Sequence, residues 1–84
     1  MFSAYVLYSL KFDKIYIGYS SDVERRLYAH NHAKNKGWTK RYQPWILLYQ
    51  EEFEVKTEAM KREKELKSAK GRAFIRGKVK QKFG

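Results

Sequence analysis

The chain has 84 residues and a formal net charge of +10, from 19 Lys and Arg against 9 Asp and Glu, with no cysteine. That length holds one small domain, 1–84, which neither a disulfide nor a thiolate metal site can brace. At 43% hydrophobic it is too apolar for a disordered basic tail, and no apolar stretch reaches the roughly 18 residues of a membrane span.

Residues 4–9, Ala-Tyr-Val-Leu-Tyr-Ser, are aromatic and branched and predict a strand. Lys11-Phe12-Asp13 is short enough to be a hairpin connection. In 14–19 the alternation sets Ile15, Ile17 and Tyr19 on one face and Tyr16 and Gly18 on the other. A glycine within a strand gives up packing and often marks a close approach to the backbone. Ser21-Asp22-Val23-Glu24 fits a capping box, and Val23, Leu27 and His30 then form one stripe of a helix ending near Asn31. Residues 33–44, polar, basic and broken by Gly37 and Pro44, predict a loop. Trp45 to Gln50 predict a third strand, apolar enough to be central. A second helix is expected over 55–68, with Val55, Ala59, Glu63 and Leu66 on one stripe. Gly71 is expected to interrupt it, with Ala73 to Lys82 a short third helix or a loose tail. The order β-β-α-β-α-α predicts an α+β fold, a small antiparallel sheet with helices packed against it.

The charge is uneven. Residues 1–50 are net +5, 51–65 are net −2, and the 66–84 tail, with seven basic side chains and no acid, is net +7. The excess asks for a polyanionic partner, with nucleic acid foremost and no membrane. The start Met-Phe-Ser-Ala-Tyr lacks the charged-then-apolar order of a signal peptide, so a cytoplasmic location is expected.

Three features carry chemistry. Arg26 and His30, four apart on the first helix, share a face. They make either an anion site, since Arg grips phosphate bidentately, or a surface Arg with a helix-end His favoured by the dipole. Glu63 sits on the inner stripe of the second helix, where a charge is costly unless paired or bound to metal. Lys67 at i+4 could pair with it, or the carboxylate could hold a hard divalent cation with help from water and phosphate. Tyr5, Tyr8, Tyr16, Tyr19 and Tyr49 all fall in predicted strands, where tyrosine suits a thin core. A tyrosine beside metal and phosphate can instead act as a base or orient a water. No Gly-rich phosphate loop is present, and His30 and His32 diverge on a helix and cannot face one metal.

These residues together resemble the GIY-YIG nuclease domain, and more closely the short stand-alone bacterial proteins built from it alone. Tyr16-Ile17-Gly18 matches the second name-giving motif. Ser3-Ala4-Tyr5 keeps only the tyrosine of the first, eleven residues before Tyr16. Arg26, ten residues past Tyr16, matches the family arginine, and His30 a histidine of several branches. Glu58 to Glu63 looks like the segment that ends in the family's metal-binding glutamate. The family asparagine beyond that helix has no counterpart here, and Ile75 stands near its place.

The resemblance implies a three-stranded antiparallel sheet flanked by helices. It also implies cleavage of DNA phosphodiesters by an endonuclease dependent on one Mg²⁺ or Mn²⁺, in DNA repair or recombination. By that analogy Glu63 ligates the metal, Tyr5 or Tyr16 orients or deprotonates the water, Arg26 stabilises charge on the scissile phosphate, and His30 assists. The alternative is a module that keeps the fold and only binds nucleic acid. Lys34, Lys36, Trp38, Lys40 and Arg41 of the loop, with Lys67, Lys70 and Arg72 of the tail, are the expected nucleic-acid contacts. DNA is expected ahead of RNA, and a protein partner or homodimer stays open.

Overall fold

A computed structural model describes residues 1–84. Three strands, β1 (Phe2–Ser9), β2 (Lys14–Ser20) and β3 (Ile46–Phe53), form one antiparallel sheet in the order β2-β1-β3. Helix α1 (Val23–Asn31) and a short 3₁₀ turn, Trp38–Tyr42, lie between β2 and β3. Helices α2 (Lys56–Lys67) and α3 (Ala69–Phe83) follow. This is the expected α+β architecture and order. No helix is long and apolar enough to cross a membrane.

The central strand is β1, not β3. Ser3 to Ser9 are all buried, while β3 keeps exposed positions along its length. The apolar run at Trp45 to Tyr49 misleads because an edge strand can be just as apolar when helices cover its faces. Trp45 itself lies just outside the strand and is 2% exposed.

Strand alternation sorts the core into two layers. Ala4, Val6 and Ile17 face Leu66 of α2 and Ile75 of α3. Tyr5 and Leu7 face Val23 of α1 and Trp45, with Tyr16, Leu27 and Tyr42 packed around them. The register shifts between Val6 and Leu7, which pair with Tyr49 and Leu47. The bulge leaves Leu48 as the extra residue, so Leu48 and Tyr49 both pack on the α2/α3 layer. Each fully buried Leu or Ile contributes about 1.5–3 kcal/mol, so Leu66 and Ile75, both 0% exposed, anchor the two helices.

Two local expectations are corrected. Asp22, not Ser21, caps α1: its carboxylate accepts from the Arg25 N–H at 3.1 Å, and Ser20 Oγ accepts from the Asp22 N–H at 3.0 Å. Gly71 does not break the chain. It lies buried in the first turn of α3, where a Cβ would overlap the backbone of Glu65 and Leu66. The glycine lets α3 start directly against the end of α2. Ser68 joins the two, donating to Glu65 O at 2.5 Å and accepting from the Gly71 N–H at 3.2 Å.

The acidic stretch serves this packing. Arg62 pairs with Glu51 of β3 at 2.9 Å, which ties α2 to the sheet, and with Glu65 of its own helix at 3.3 Å. The basic helix α3 is tied down in turn. Arg76 reaches Asp13 of the hairpin at 2.6 Å, and Lys78 lies over the rings of Tyr49 and Phe74. Asp13 adopts a left-handed φ of 53° and accepts from the Tyr8 hydroxyl at 2.7 Å.

Candidate active site

Tyr5, Tyr16, Gly18, Tyr19, Ser20, Arg26 and Glu63 line one cleft of about 360 Å³. The β2 residues in it come from both faces of the strand. The cleft therefore crosses the free edge of β2, with α1 supplying Arg26 from one side of the sheet and α2 supplying Glu63 from the other.

Gly18 makes the first contact possible. It pairs with Tyr5 across the strands, and the Tyr5 ring lies over it. A Cβ at position 18 would sit 2.8 Å from the phenolic oxygen. The close approach expected from a glycine in this strand is thus the Tyr5 side chain.

The Tyr5 hydroxyl is buried and has no hydrogen-bond partner of good geometry. Burial pushes its pKa above the ordinary phenol value, and the nearby Arg26 guanidinium only partly offsets this. Tyr5 is therefore a neutral phenol near pH 7, able to donate a hydrogen bond. The same neighbours hold the Arg26 guanidinium firmly protonated, Tyr5 foremost. Tyr16 is half-buried, its ring 6.2 Å from that of Tyr5 and 4.4 Å from that of His30.

His30 sits in a hydrogen-bonded clamp. Thr39 Oγ1 lies 2.9 Å from its Nδ1 and accepts from Asn35 Nδ2 at 2.7 Å. The Thr39 hydroxyl can donate to His30 Nδ1 as well as accept from Asn35. A neutral imidazole bonded this way carries its proton on Nε2, an atom that is buried and unpartnered. The ring is neutral near pH 7 because burial, and then the charge of Arg26, lowers its pKa. Asn35 and Gln43 also donate to the His30 carbonyl, at 3.1 and 2.7 Å. Asn31 exchanges two hydrogen bonds with the backbone of Trp45, at 2.6 and 2.9 Å. The segment expected as a loop is therefore tied by these bonds to the end of α1, with a 3₁₀ turn inside it. Loop polarity alone gave no hint of Asn35 or Thr39, because their partners are set by the chain's return to β3.

Glu63 is mostly buried, its side chain 17% exposed, and Lys67 Nζ lies 3.3 Å from one carboxylate oxygen. The pairing with Lys67 expected from the i, i+4 spacing is thus present, and Glu63 also lines the cleft with the two tyrosines. Nowhere do three or more His, Asp or Glu side chains converge as a metal cage. One carboxylate beside hydroxyls of Tyr5, Tyr16 and Ser20 fits a hard cation that keeps waters and takes phosphate oxygens as further ligands.

The expected nucleic-acid contacts divide into two groups. Trp38, Lys40 and Arg41 lie on the 3₁₀ turn, and Lys34 and Lys36 just before it. Trp38 lines a second cavity that shares Tyr16 and Arg26 with the cleft. Lys67, Lys70 and Arg72 sit at the α2–α3 corner, where Lys67 is paired with Glu63 and Arg72 donates to the Lys67 carbonyl at 3.3 Å. Lys70 lines a separate hollow with Arg62 and Phe74.

Residues 1–77 match the family model described as the GIY-YIG catalytic domain. A UPF0213 protein of Staphylococcus haemolyticus is 45% identical over 58 residues, covering 69% of this chain and 71% of the relative. UPF0213 proteins of Staphylococcus saprophyticus and Staphylococcus epidermidis are 44% identical over 54 residues, 64% of this chain and 66% of theirs. No solved structure matches.

Proposed function

The chain belongs to the GIY-YIG catalytic-domain family, and from that membership we propose that it is a divalent-metal-dependent endonuclease acting in DNA repair or recombination. Membership itself implies nuclease-type cleavage of DNA. The finer reading is carried by one observation: Glu63 lines the same cleft as Tyr5, Tyr16 and Arg26, though it comes from a distant helix.

Glu63 would hold the Mg²⁺ or Mn²⁺, which would supply Lewis-acid charge at the phosphate and the leaving oxygen. Arg26 binds the non-bridging phosphate oxygens and neutralises the charge that builds on them during attack. Tyr5, kept protonated by burial, donates to a phosphate oxygen. The more accessible Tyr16 then orients the attacking water through its hydroxyl. His30, clamped by Thr39 and packed on Tyr16, holds that ring in place.

Cleavage of labelled DNA with Mg²⁺ or Mn²⁺ tests the reading. Glu63→Gln is expected to abolish cleavage, and Arg26→Ala to slow it by about 10²–10³, the usual effect of removing one such donor. Wild-type protein that leaves every form of DNA intact with metal present overturns it.

The Glu63–Lys67 pair favours a second reading, a module that binds nucleic acid without cutting. In that case Glu63→Gln binds DNA as well as wild type, and Mg²⁺ changes nothing.

A further inference from the structure

Beside the cleft, the loop after α1 and the β1–β2 hairpin each leave an aromatic side chain open to solvent. Trp38 is 50% exposed and Phe12 41%. Tyr42 bridges them, its ring 5.1 Å from Trp38 and 5.6 Å from Phe12. Cations frame the row: Lys14 Nζ lies 5.3 Å over Tyr42, and Lys11 Nζ 5.4 Å over Phe12. At the other end Trp38 lines a cavity of about 380 Å³ with His30, Asn35 and Thr39, and this cavity shares Tyr16 and Arg26 with the cleft.

The row follows β2. The cleft spans Tyr16 to Ser20, while Lys14, at the hairpin end, covers Tyr42. The strand rises about 3.3 Å per residue, so Lys14 and Ser20 are roughly 20 Å apart, and row and cleft together span the reach of a few nucleotides. Trp38 gains little from its own neighbourhood: its rings touch Tyr42 and Trp45 yet half its surface meets water. A double helix has no use for such a surface, because paired bases already stack on one another and present phosphates outward. Unpaired bases have free faces, and aromatic rings among cations are what holds them.

We propose that this row is a stacking platform for an unpaired strand, so that the preferred substrate is DNA that is single-stranded on one side of the scissile phosphate. The inference rests on the nuclease reading only for its link to cleavage. The first unpaired nucleotide enters the His30–Trp38 cavity, its base against Trp38, and the strand continues over Tyr42 and Phe12. Lys11 and Lys14 meet its phosphates.

The test uses the Glu63→Gln form of the 84-residue chain without metal, so that nothing is cut. Trp45 is buried, so quenching of tryptophan emission by an oligonucleotide reports on Trp38. Single-stranded DNA is expected to quench and to bind at least tenfold tighter than a blunt duplex of the same sequence and length. Trp38→Ala is expected to weaken single-strand binding about tenfold, the low end for loss of one stacked base, and duplex binding by less than twofold. Phe12→Ala, exposed and remote from the cleft, is expected to weaken the single strand about threefold. A duplex that quenches and binds as well as the single strand overturns the proposal, as does a Trp38→Ala loss equal on both. Single-stranded RNA of the same sequence distinguishes the two sources of unpaired bases: tighter DNA binding supports the proposal, and tighter RNA binding overturns its assignment to DNA. The two readings fail separately. Wild-type protein that cuts DNA without single-strand preference removes the platform. Quenching by single strands in a protein that never cuts removes the nuclease and keeps the platform.

Discussion

The Tyr5 ring rests on Gly18 so closely that a Cβ at position 18 would stand 2.8 Å from its hydroxyl oxygen and 2.9 Å from Cζ. Tyr5 is fully buried and has nowhere to retreat. Gly18→Ala therefore forces the ring out of place, with an expected stability loss of about 1–3 kcal/mol from overpacking and a larger proportional loss of cleavage. Removing the hydroxyl relieves the nearest clash. In a Tyr5→Phe background the same Gly18→Ala change is expected to cost less, measured by denaturant unfolding of all four proteins. Additive costs would show that the two side chains do not meet.

Glu63 has two partners competing for it. Lys67 pairs with it from a half-exposed position, and such pairs contribute about 0–1 kcal/mol. Lys67→Met is therefore expected to leave the unfolding midpoint almost unchanged. It also frees the carboxylate, so cleavage should need less Mg²⁺ for half-maximal rate. An unchanged metal requirement would mean that Lys67 does not restrain Glu63 in solution.

The Thr39–His30 contact sets a tautomer, which nitrogen chemical shifts of the imidazole read directly. Wild-type His30 is expected as the Nε2–H form. Thr39→Val keeps the shape, removes the hydroxyl and should shift His30 toward a mixture of tautomers, with slower cleavage and little change in metal requirement. An Nδ1–H signal in the wild type would contradict the assignment.

His30 also links stability to pH. Burial and Arg26 hold its folded pKa below the ordinary value, so the unfolded chain takes up the proton first as pH falls. Its contribution to stability is whole above about pH 6.5, the unfolded value, and is lost as pH drops through that value toward the folded one. Unfolding free energy between about pH 7 and 5 is expected to fall more steeply for wild type than for His30→Gln. Equal slopes would place the ring in solvent.

Gly71 has no freedom to carry a side chain, because a Cβ meets the backbone of Glu65 and Leu66 and not a movable side-chain end. Gly71→Ala is expected to cost about 3 kcal/mol or more, at the upper end of overpacking, whereas Gly77→Ala, with open space around it, should be neutral or stabilising by less than about 1 kcal/mol. Thermal unfolding of the two variants checks the contrast.

What the sequence determined by itself is local. Tyr16, Gly18, Arg26 and His30 lie on one strand, turn and helix, and their faces follow from periods of 2 and 3.6. The order of elements and the two-faced character of β2 follow from the same periodicities. What only the tertiary structure decided is everything that depends on distant pairing. The apolar third strand lies at an edge because β1, buried along its length, takes the centre. Gly71, a breaker by local propensity, is a helix residue because α2 and α3 meet there. Asn35 and Thr39 clamp His30 because the chain returns past it toward β3. Above all, Glu63 reaches the tyrosines because α2 packs against β2, whose glycine leaves its edge open. Backbone periodicity is written into each segment, but the docking of one segment on another is chosen by the core they share, and no single segment contains that information.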